Sequence, residues 1–145
     1  MLDWRPAGGT RPAMRLYITG DTLLRAQLRE IPRRYPDIDL ALLHLGGTRL
    51  FGVMLTMDAK QGVEAIRWIQ PKKAIPIHYD DYPVFKSPLA DFQREVEAAG
   101  LGDRVIYLER GMKHTFTVPP ERWAAPVDAG SARPIAPPPP SQSRR

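Results

Sequence analysis

The chain has 145 residues, of which 43% are hydrophobic and 26% charged, with a formal net charge of +5, which suits one domain with its own core. It has no cysteine, so disulfides and thiolate chemistry are excluded and a bound metal would need histidine, aspartate or glutamate ligands. No apolar run is long enough to span a bilayer and the first residues lack a signal-peptide core, so we expect a cytoplasmic protein that does not enter a membrane.

Hydrophobic periodicity divides residues 15–118 into alternating strands and helices. In chain order the pattern predicts a strand at 15–19, a short helix that Pro32 ends, a strand at 39–45, a helix from a Thr56 cap to Gln70, a strand at 73–78, a helix capped by Ser87, and two strands on either side of Gly111. Residues 49–56 fit either a short strand or a packed loop. This alternation favours a layered α/β fold with helices packed against a sheet.

The two ends of the chain differ from this central region. Residues 1–14 predict a loop or one arm of a hairpin that leads into the first strand. Residues 119–145 hold half of the 16 prolines, and such a composition cannot bury enough apolar surface to offset the entropy of ordering. We therefore expect a disordered proline-rich tail over residues 119–145.

Polar side chains stand where three of the predicted strands end. Asp21 follows the first strand, His44 closes the second, and His78 follows the third. Functional groups collect at strand ends in α/β sheets, and an imidazole with a carboxylate can ligate a divalent ion. The spacing leaves a structural alternative for each residue, because an aspartate before a helix is often only a cap and a strand-end histidine is often only hydrogen bonded.

Four stretches carry a resemblance to a known family. The stretches "LYITGDT", "DIDLALLHLGGT", "LTMDAKQGVEAIRWIQPKKAIPIHYDDY" and "FKSPLADF" resemble, in order and spacing, the second half of the metallo-β-lactamase-fold metallohydrolases. The resemblance covers residues 15–118. It implies half of an αββα sandwich, a sheet with helices on one face, and a hydrolase that uses a water activated by one or two metal ions, usually zinc.

The resemblance also implies roles for particular residues. The aspartate of "GDT" bridges the two metals in this family and the histidine of "PIHY" is the last ligand, which assigns Asp21 and His78 as metal ligands. No ligand role transfers to His44, for which we favour a structural role over a substrate contact. Tyr79 and Asp81 lie in the loop after His78 and are candidate pocket residues.

The family's first half supplies a His-x-His-x-Asp-His motif that this chain lacks. Its three histidines are at 44, 78 and 114, so no two are close in sequence, whereas a stable zinc site takes three or four protein ligands. We therefore expect a chain truncated at its N-terminus, holding the second half of a site and inactive alone. The alternative is a non-catalytic fragment or remnant that acts as an interaction domain.

These expectations imply particular binding partners for the chain. They are a small-molecule substrate and either a missing N-terminal half or a second copy of the chain, held by an exposed apolar sheet face. The basic pairs Arg33-Arg34 and Lys72-Lys73 stand beside prolines, without the longer aromatic-interleaved stripe of a nucleic-acid site. The charge pattern therefore disfavours direct binding to nucleic acid.

Overall fold

A computed structural model of the protein describes residues 1–123. The strands are β1 (Leu2–Trp4), β2 (Met14–Ile18), β3 (Leu40–His44), β4 (Arg49–Leu50), β5 (Val53–Met54) and β6 (Lys73–Ile77). The α-helices are α1 (Ile31–Arg34), α2 (Ala59–Ile69), α3 (Leu89–Ala98) and α4 (Pro120–Trp123), and 3-10 helices occupy Ala26–Glu30 and Gly102–Arg104. Within residues 1–123, no helix has the length and hydrophobicity needed to cross a membrane.

Four strands form one sheet in the order β1-β2-β3-β6. The strands β2, β3 and β6 run parallel, and β1 pairs antiparallel with β2. The strands β4 and β5 form a separate two-stranded hairpin. Because β2, β3 and β6 are parallel, their carboxyl ends meet at one edge of the sheet, and this edge receives the residues that follow each strand.

The core lies between one face of the sheet and the helices α2 and α3. Leu43 and Leu45 point from β3 and its end into a cluster with Ile66 of α2 and Phe92 of α3, all of them buried. Gly62 makes the helix contact close, since a Cβ built there would stand 2.8 Å from Leu45 Cδ2 and 2.9 Å from Phe92 Cε2. The protein therefore has helices packed on a mixed parallel and antiparallel sheet, an α/β fold as the sequence predicts.

The other face of the sheet carries a second set of apolar side chains. Side chains alternate between the faces of a strand, and the pairings Leu2↔Leu16 and Leu16↔Leu40 place these leucines on the face away from the core cluster. Leu40 is buried, whereas Leu2 and Ile18 have exposed fractions of 48% and 38%. This face is therefore apolar but only partly covered within the described residues.

Two predicted helix caps are wrong. Asp58, not Thr56, caps α2, because its carboxylate accepts the Gln61 N–H at 3.0 Å. The hydroxyl of Thr56 lies 3.0 Å from Thr48 Oγ1 and accepts the Thr48 N–H. Ser87 does not cap α3 but accepts the Ala59 N–H of α2 at 3.0 Å. Each hydroxyl thus has a partner that is distant in sequence.

The helix expected after the first strand also differs. It is a 3-10 segment that passes into the single turn of α1. Pro32 stands in the first turn of α1 rather than ending a helix, a position that proline tolerates because no intrahelical N–H is needed there.

The two strands predicted around Gly111 do not form. Only Val105 bridges to Ala74 of β6, and Ile106 N–H donates to the Ala74 carbonyl at 2.9 Å. Pro76 directs its backbone to the same outer edge as Ala74 but has no N–H, so a neighbouring strand cannot continue past the first bridge. Pro76 thus stands in an edge strand, since β6 is last in the sheet order.

A buried carboxylate lies at the opposite end of the sheet, just before β3 begins. Asp39, with an exposed fraction of 1%, accepts the Arg15 backbone N–H at 2.9 Å and Lys72 Nζ at 2.8 Å. The guanidinium of Arg122 donates to both of its oxygens. Burial acts to raise the pKa of Asp39, but the hydrogen bonds from Arg122 and Lys72 outweigh it and lower that pKa below its ordinary value. These bonds fasten α4, within the predicted tail, to the sheet; the rest of that tail, residues 124–145, lies outside the described residues.

Candidate metal centre

Asp21 lies at the carboxyl edge of the sheet, just beyond β2. Gly20 has a φ of 62°, a left-handed conformation that glycine adopts without strain, and it turns the chain so that Asp21 leaves the strand direction. The 3-10 helix that follows begins only at Ala26, with Arg25 at its cap position and no side-chain cap bond. The alternative of Asp21 as a helix cap is therefore wrong, and its side chain is 63% exposed.

His78 combines two features that cost free energy. Its φ is 58°, a left-handed conformation that costs a residue other than glycine about 1 kcal/mol. Its Nδ1 atom is buried and has no hydrogen-bond partner within the described residues, which adds a desolvation cost. Strain and an unpaired polar atom on one residue are typical of a functional position.

The Asp21 and His78 side chains face each other across this edge. Asp21 Oδ1 lies 3.6 Å from His78 Nδ1, which is too long for a hydrogen bond. Two ligands of one tetrahedral zinc ion, each at 2.0–2.1 Å from the metal, stand about 3.3 Å apart. The carboxylate oxygen and the unpaired nitrogen therefore fit as two donors to one cation.

His44 ends β3, the strand between β2 and β6. Its backbone N–H donates to Thr19 Oγ1 at 2.9 Å, and its Nδ1 lies 3.5 Å from the same oxygen. Its ring centroid is 5.5 Å from that of His78. Burial lowers the pKa of His44 below its ordinary value; Asp21 opposes that shift and His78 adds to it. The structure thus places all three predicted strand-end residues at one edge.

The loop after β6 contacts His78 through two rings. The Phe85 and Tyr82 ring centroids lie 4.9 Å and 6.1 Å from the imidazole. Lys86 N–H donates to the Gly46 carbonyl at 2.9 Å and so holds this loop against the end of β3. Sequence reasoning missed Phe85 and Thr19, and the only signal was their position inside the quoted motifs "FKSPLADF" and "LYITGDT".

The two candidate pocket residues of this loop point elsewhere. Tyr79 packs against the hydrophobic core cluster, and burial raises the pKa of its phenol. Asp81 lies 3.1 Å from the Arg110 guanidinium. Their contribution to a substrate pocket stays a prediction.

Asp21 and His78 alone do not complete a metal site. Among residues 1–123, no group of three or more histidine, aspartate or glutamate side chains is arranged to hold an ion. His114 is exposed and its ring stands at the edge of Phe116, 6.4 Å between centroids. The described residues therefore offer two donors where a stable zinc site takes three or four.

Sequence comparison finds relatives with a common description. Over 96 residues, 66% of this chain, it is 35% identical to a UPF0173 metal-dependent hydrolase from Methanopyrus kandleri, of which it covers 39%. It is also 34% identical over 91 residues, 63% of this chain, to one from Carboxydothermus hydrogenoformans, of which it covers 37%. Over these residues the chain is similar to the UPF0173 metal-dependent hydrolases. No family model matches the chain.

Solved structures agree on the fold. Igni18, a metallo hydrolase from the archaeon Ignicoccus hospitalis KIN4/I, is 32% identical with a TM-score of 0.57, over 70% of this chain and 41% of Igni18. An isothiocyanate hydrolase from Delia radicum gut bacteria has a TM-score of 0.62 at 14% identity, over 70% of this chain and 40% of that one, which shows a shared fold alone. The chain spans about two fifths of the length of the relatives it matches.

Proposed function

We propose that this chain carries the second half of the active site of a zinc-dependent hydrolase of the metallo-β-lactamase superfamily. In this proposal Asp21 bridges two metal ions and His78 is the terminal ligand of one of them. The observation that carries it is the 3.6 Å approach of Asp21 Oδ1 to the buried, unpaired Nδ1 of His78. The similarity to proteins described as metal-dependent hydrolases supports it.

The chemistry follows from the donor types. When bound at such a site, a divalent ion lowers the pKa of a coordinated water toward about 7 and so supplies a nucleophile for hydrolysis. The contribution of this chain is to orient donors. Gly20 turns Asp21 outward, and the ring of Phe85 packs beside that of His78. Both donors stand at the ends of sheet strands, which hold them more firmly than a free loop would.

The remaining ligands would come from a partner segment. The relatives are longer than this chain, and the sheet face with exposed Leu2, Trp4 and Ile18 is apolar. A second sheet packed on that face would bury these side chains, as sheets do in a sandwich. We propose that the occupant is a segment with a His-x-His-x-Asp-His motif, in the same protein or in a separate chain, and that this chain alone binds zinc weakly and turns over no substrate.

Zinc titration of the purified chain tests the ligand assignment. We expect weak binding that Asp21→Asn and His78→Ala remove and that His114→Ala, a matched histidine control, leaves unchanged. Tight stoichiometric zinc binding by the chain alone would contradict the claim that ligands are missing. Binding that both ligand variants leave intact would contradict the assignment of Asp21 and His78.

Complementation tests the hydrolase activity. Co-expression with the segment of the Methanopyrus kandleri relative that lies outside the matched residues should give zinc-dependent turnover of lactone, phosphodiester or thioester substrates. The Asp21→Asn variant in the same complex is the control and should be inactive. A stable complex that binds no zinc would instead favour the second candidate, a non-catalytic interaction domain, to which the apolar sheet face also points.

A further inference from the structure

His44 and Thr19 are joined by two contacts at the same edge as the proposed ligands. The His44 backbone N–H donates to Thr19 Oγ1 at 2.9 Å, and His44 Nδ1 lies 3.5 Å from that oxygen. A threonine hydroxyl has one proton and two acceptor lone pairs. Thr19 Oγ1 accepts from the His44 backbone, which leaves its proton and a second lone pair for His44 Nδ1, and the contact fits a Thr19 hydroxyl that donates to Nδ1.

The orientation of the Thr19 hydroxyl selects the nitrogen of His44 that carries the ring proton. A neutral imidazole has one donor and one acceptor nitrogen, so an accepting Nδ1 leaves the proton on Nε2. Nε2 makes no hydrogen bond to residues 1–123 and is not among their buried unpaired atoms. With Nδ1 as the acceptor, His44 presents an accessible N–H, whereas a metal ligand must present a lone pair.

The position of His44 places this N–H between the two proposed metal ligands. β3 lies between β2 and β6 in the sheet, so its end stands between Asp21 and His78, and the imidazole centroid is 5.5 Å from that of His78. We infer that His44 contacts the substrate at this site and that its Nε2–H donates a hydrogen bond to a carbonyl or anionic oxygen of the substrate. This inference rests on the proposed function and takes the substrate contact over the structural role favoured from sequence.

Thr19 is the positioning residue in this arrangement. It lies two residues before Asp21, and its backbone N–H donates to the Leu42 carbonyl at 3.1 Å. Thr19 therefore follows directly after β2 on the way to a proposed ligand, and its side chain contacts His44, the proposed substrate contact. Loss of its hydroxyl should release the His44 ring without removing a metal donor.

The first experiment reads the tautomer in the unmodified chain. Long-range ¹H–¹⁵N correlation spectra distinguish the protonated from the unprotonated ring nitrogen at pH 7.5. We expect the His44 proton on Nε2 in the wild-type chain, and a mixture of tautomers in Thr19→Val. A wild-type His44 with its proton on Nδ1 overturns the inference.

The second experiment measures binding of an oxyanion, with acetate as the probe because it does not precipitate zinc. Acetate is titrated by NMR into the chain in the presence of zinc, for wild type, His44→Ala and His44→Gln, with backbone spectra to verify the fold of each variant. Loss of one hydrogen bond to an anion should raise the acetate Kd about tenfold in His44→Ala. His44→Gln keeps a side-chain N–H donor and should stay within about threefold of wild type.

The zinc affinity of the same variants separates the possible failures. We expect His44→Ala to leave the zinc Kd unchanged, since His44 is not a ligand. A zinc Kd that rises tenfold in His44→Ala, or an acetate Kd that does not change, overturns the inference. If neither Asp21→Asn nor His78→Ala changes zinc binding, the proposed function is overturned. If zinc binding needs both residues but acetate binding does not change in His44→Ala, the inference alone is overturned.

Discussion

Asp21 Oδ1 and His78 Nδ1 lie 3.6 Å apart at the carboxyl edge of the sheet. The contact joins β2 to the outermost strand β6, with β3 between them. It does not satisfy the imidazole, because Nδ1 is buried and unpaired within the described residues. A nearby carboxylate and an unpaired imidazole nitrogen are the two donors that the proposed metal site would use.

Replacing Asp39 with asparagine should lower the free energy of unfolding by about 2 kcal/mol. The variant removes the buried charge that Lys72 and Arg122 contact at the other end of the sheet. This loss is smaller than the loss expected for a fully buried ion pair, because both cations are partly exposed. Urea denaturation measures it, with Asp91→Asn in the exposed pair with Arg94 as a control expected to cost about 0.5 kcal/mol or less.

Stability should fall in acid through the same carboxylate. The folded-state pKa of Asp39 is lower than its ordinary value of 3.8, so the unfolded chain takes up its proton first as the pH drops. The contribution of Asp39 is complete above the unfolded pKa and is lost as the pH falls through the folded pKa. Denaturation midpoints from pH 6 to pH 2 should decline less steeply in Asp39→Asn than in wild type, with a remaining slope from Asp3, whose pKa the hydrogen bond from Arg15 also lowers. Equal slopes would contradict this role.

Gly62→Ala should destabilise the protein although alanine is the better helix former. The added Cβ would meet Leu45 Cδ2 at 2.8 Å and Phe92 Cε2 at 2.9 Å, and both side chains are buried and packed. Overpacking of this kind costs about 1–3 kcal/mol, more than the helix propensity of about 1 kcal/mol returns. Thermal denaturation compares it with Gly102→Ala, where a Cβ meets nothing within 4 Å and stability should not fall. An increase in Tm for Gly62→Ala would refute the close contact.

Ser87→Ala should cost about 1 kcal/mol, the usual value of a lost helix N-terminal hydrogen bond. The Ser87 hydroxyl accepts the Ala59 N–H at the start of α2, so the loss should appear as faster amide exchange at the start of α2 rather than of α3. Protection factors for Ala59 and for Asp91 in the first turn of α3 distinguish the two. Faster exchange confined to α3 would restore the cap predicted from sequence.

The sequence predicts those helices and strands whose formation depends on residues that are close together in the chain. The apolar period of α2 and the run of residues 39–45 are local patterns, and both elements form as predicted. The hydroxyls of Thr56 and Ser87 could not be assigned, because their partners Thr48 and Ala59 approach only after the chain folds. Hydrophobic periodicity likewise cannot show that the backbone of Pro76 faces the outer edge of the sheet, where a further strand would need an N–H as its hydrogen-bond donor.

The candidate site likewise has residues that the sequence predicts and contacts that it does not. Asp21 and His78 could be singled out because each follows a strand and stands in a motif of a known family. The side chain of His44 contacts Thr19, and that of His78 contacts Phe85. Both contacts join separate segments of the chain, so they emerge only from the sheet order and the return of the loop onto Gly46.

The most direct test of the central claim is a zinc titration that follows the imidazole resonances of all three histidines in the 145-residue chain at pH 7.5. We expect that the His78 resonances shift with added zinc, that those of exposed His114 do not, and that Asp21→Asn removes the shift. A His78 ring that stays unperturbed at millimolar zinc, or shifts no more than His114, would contradict the claim.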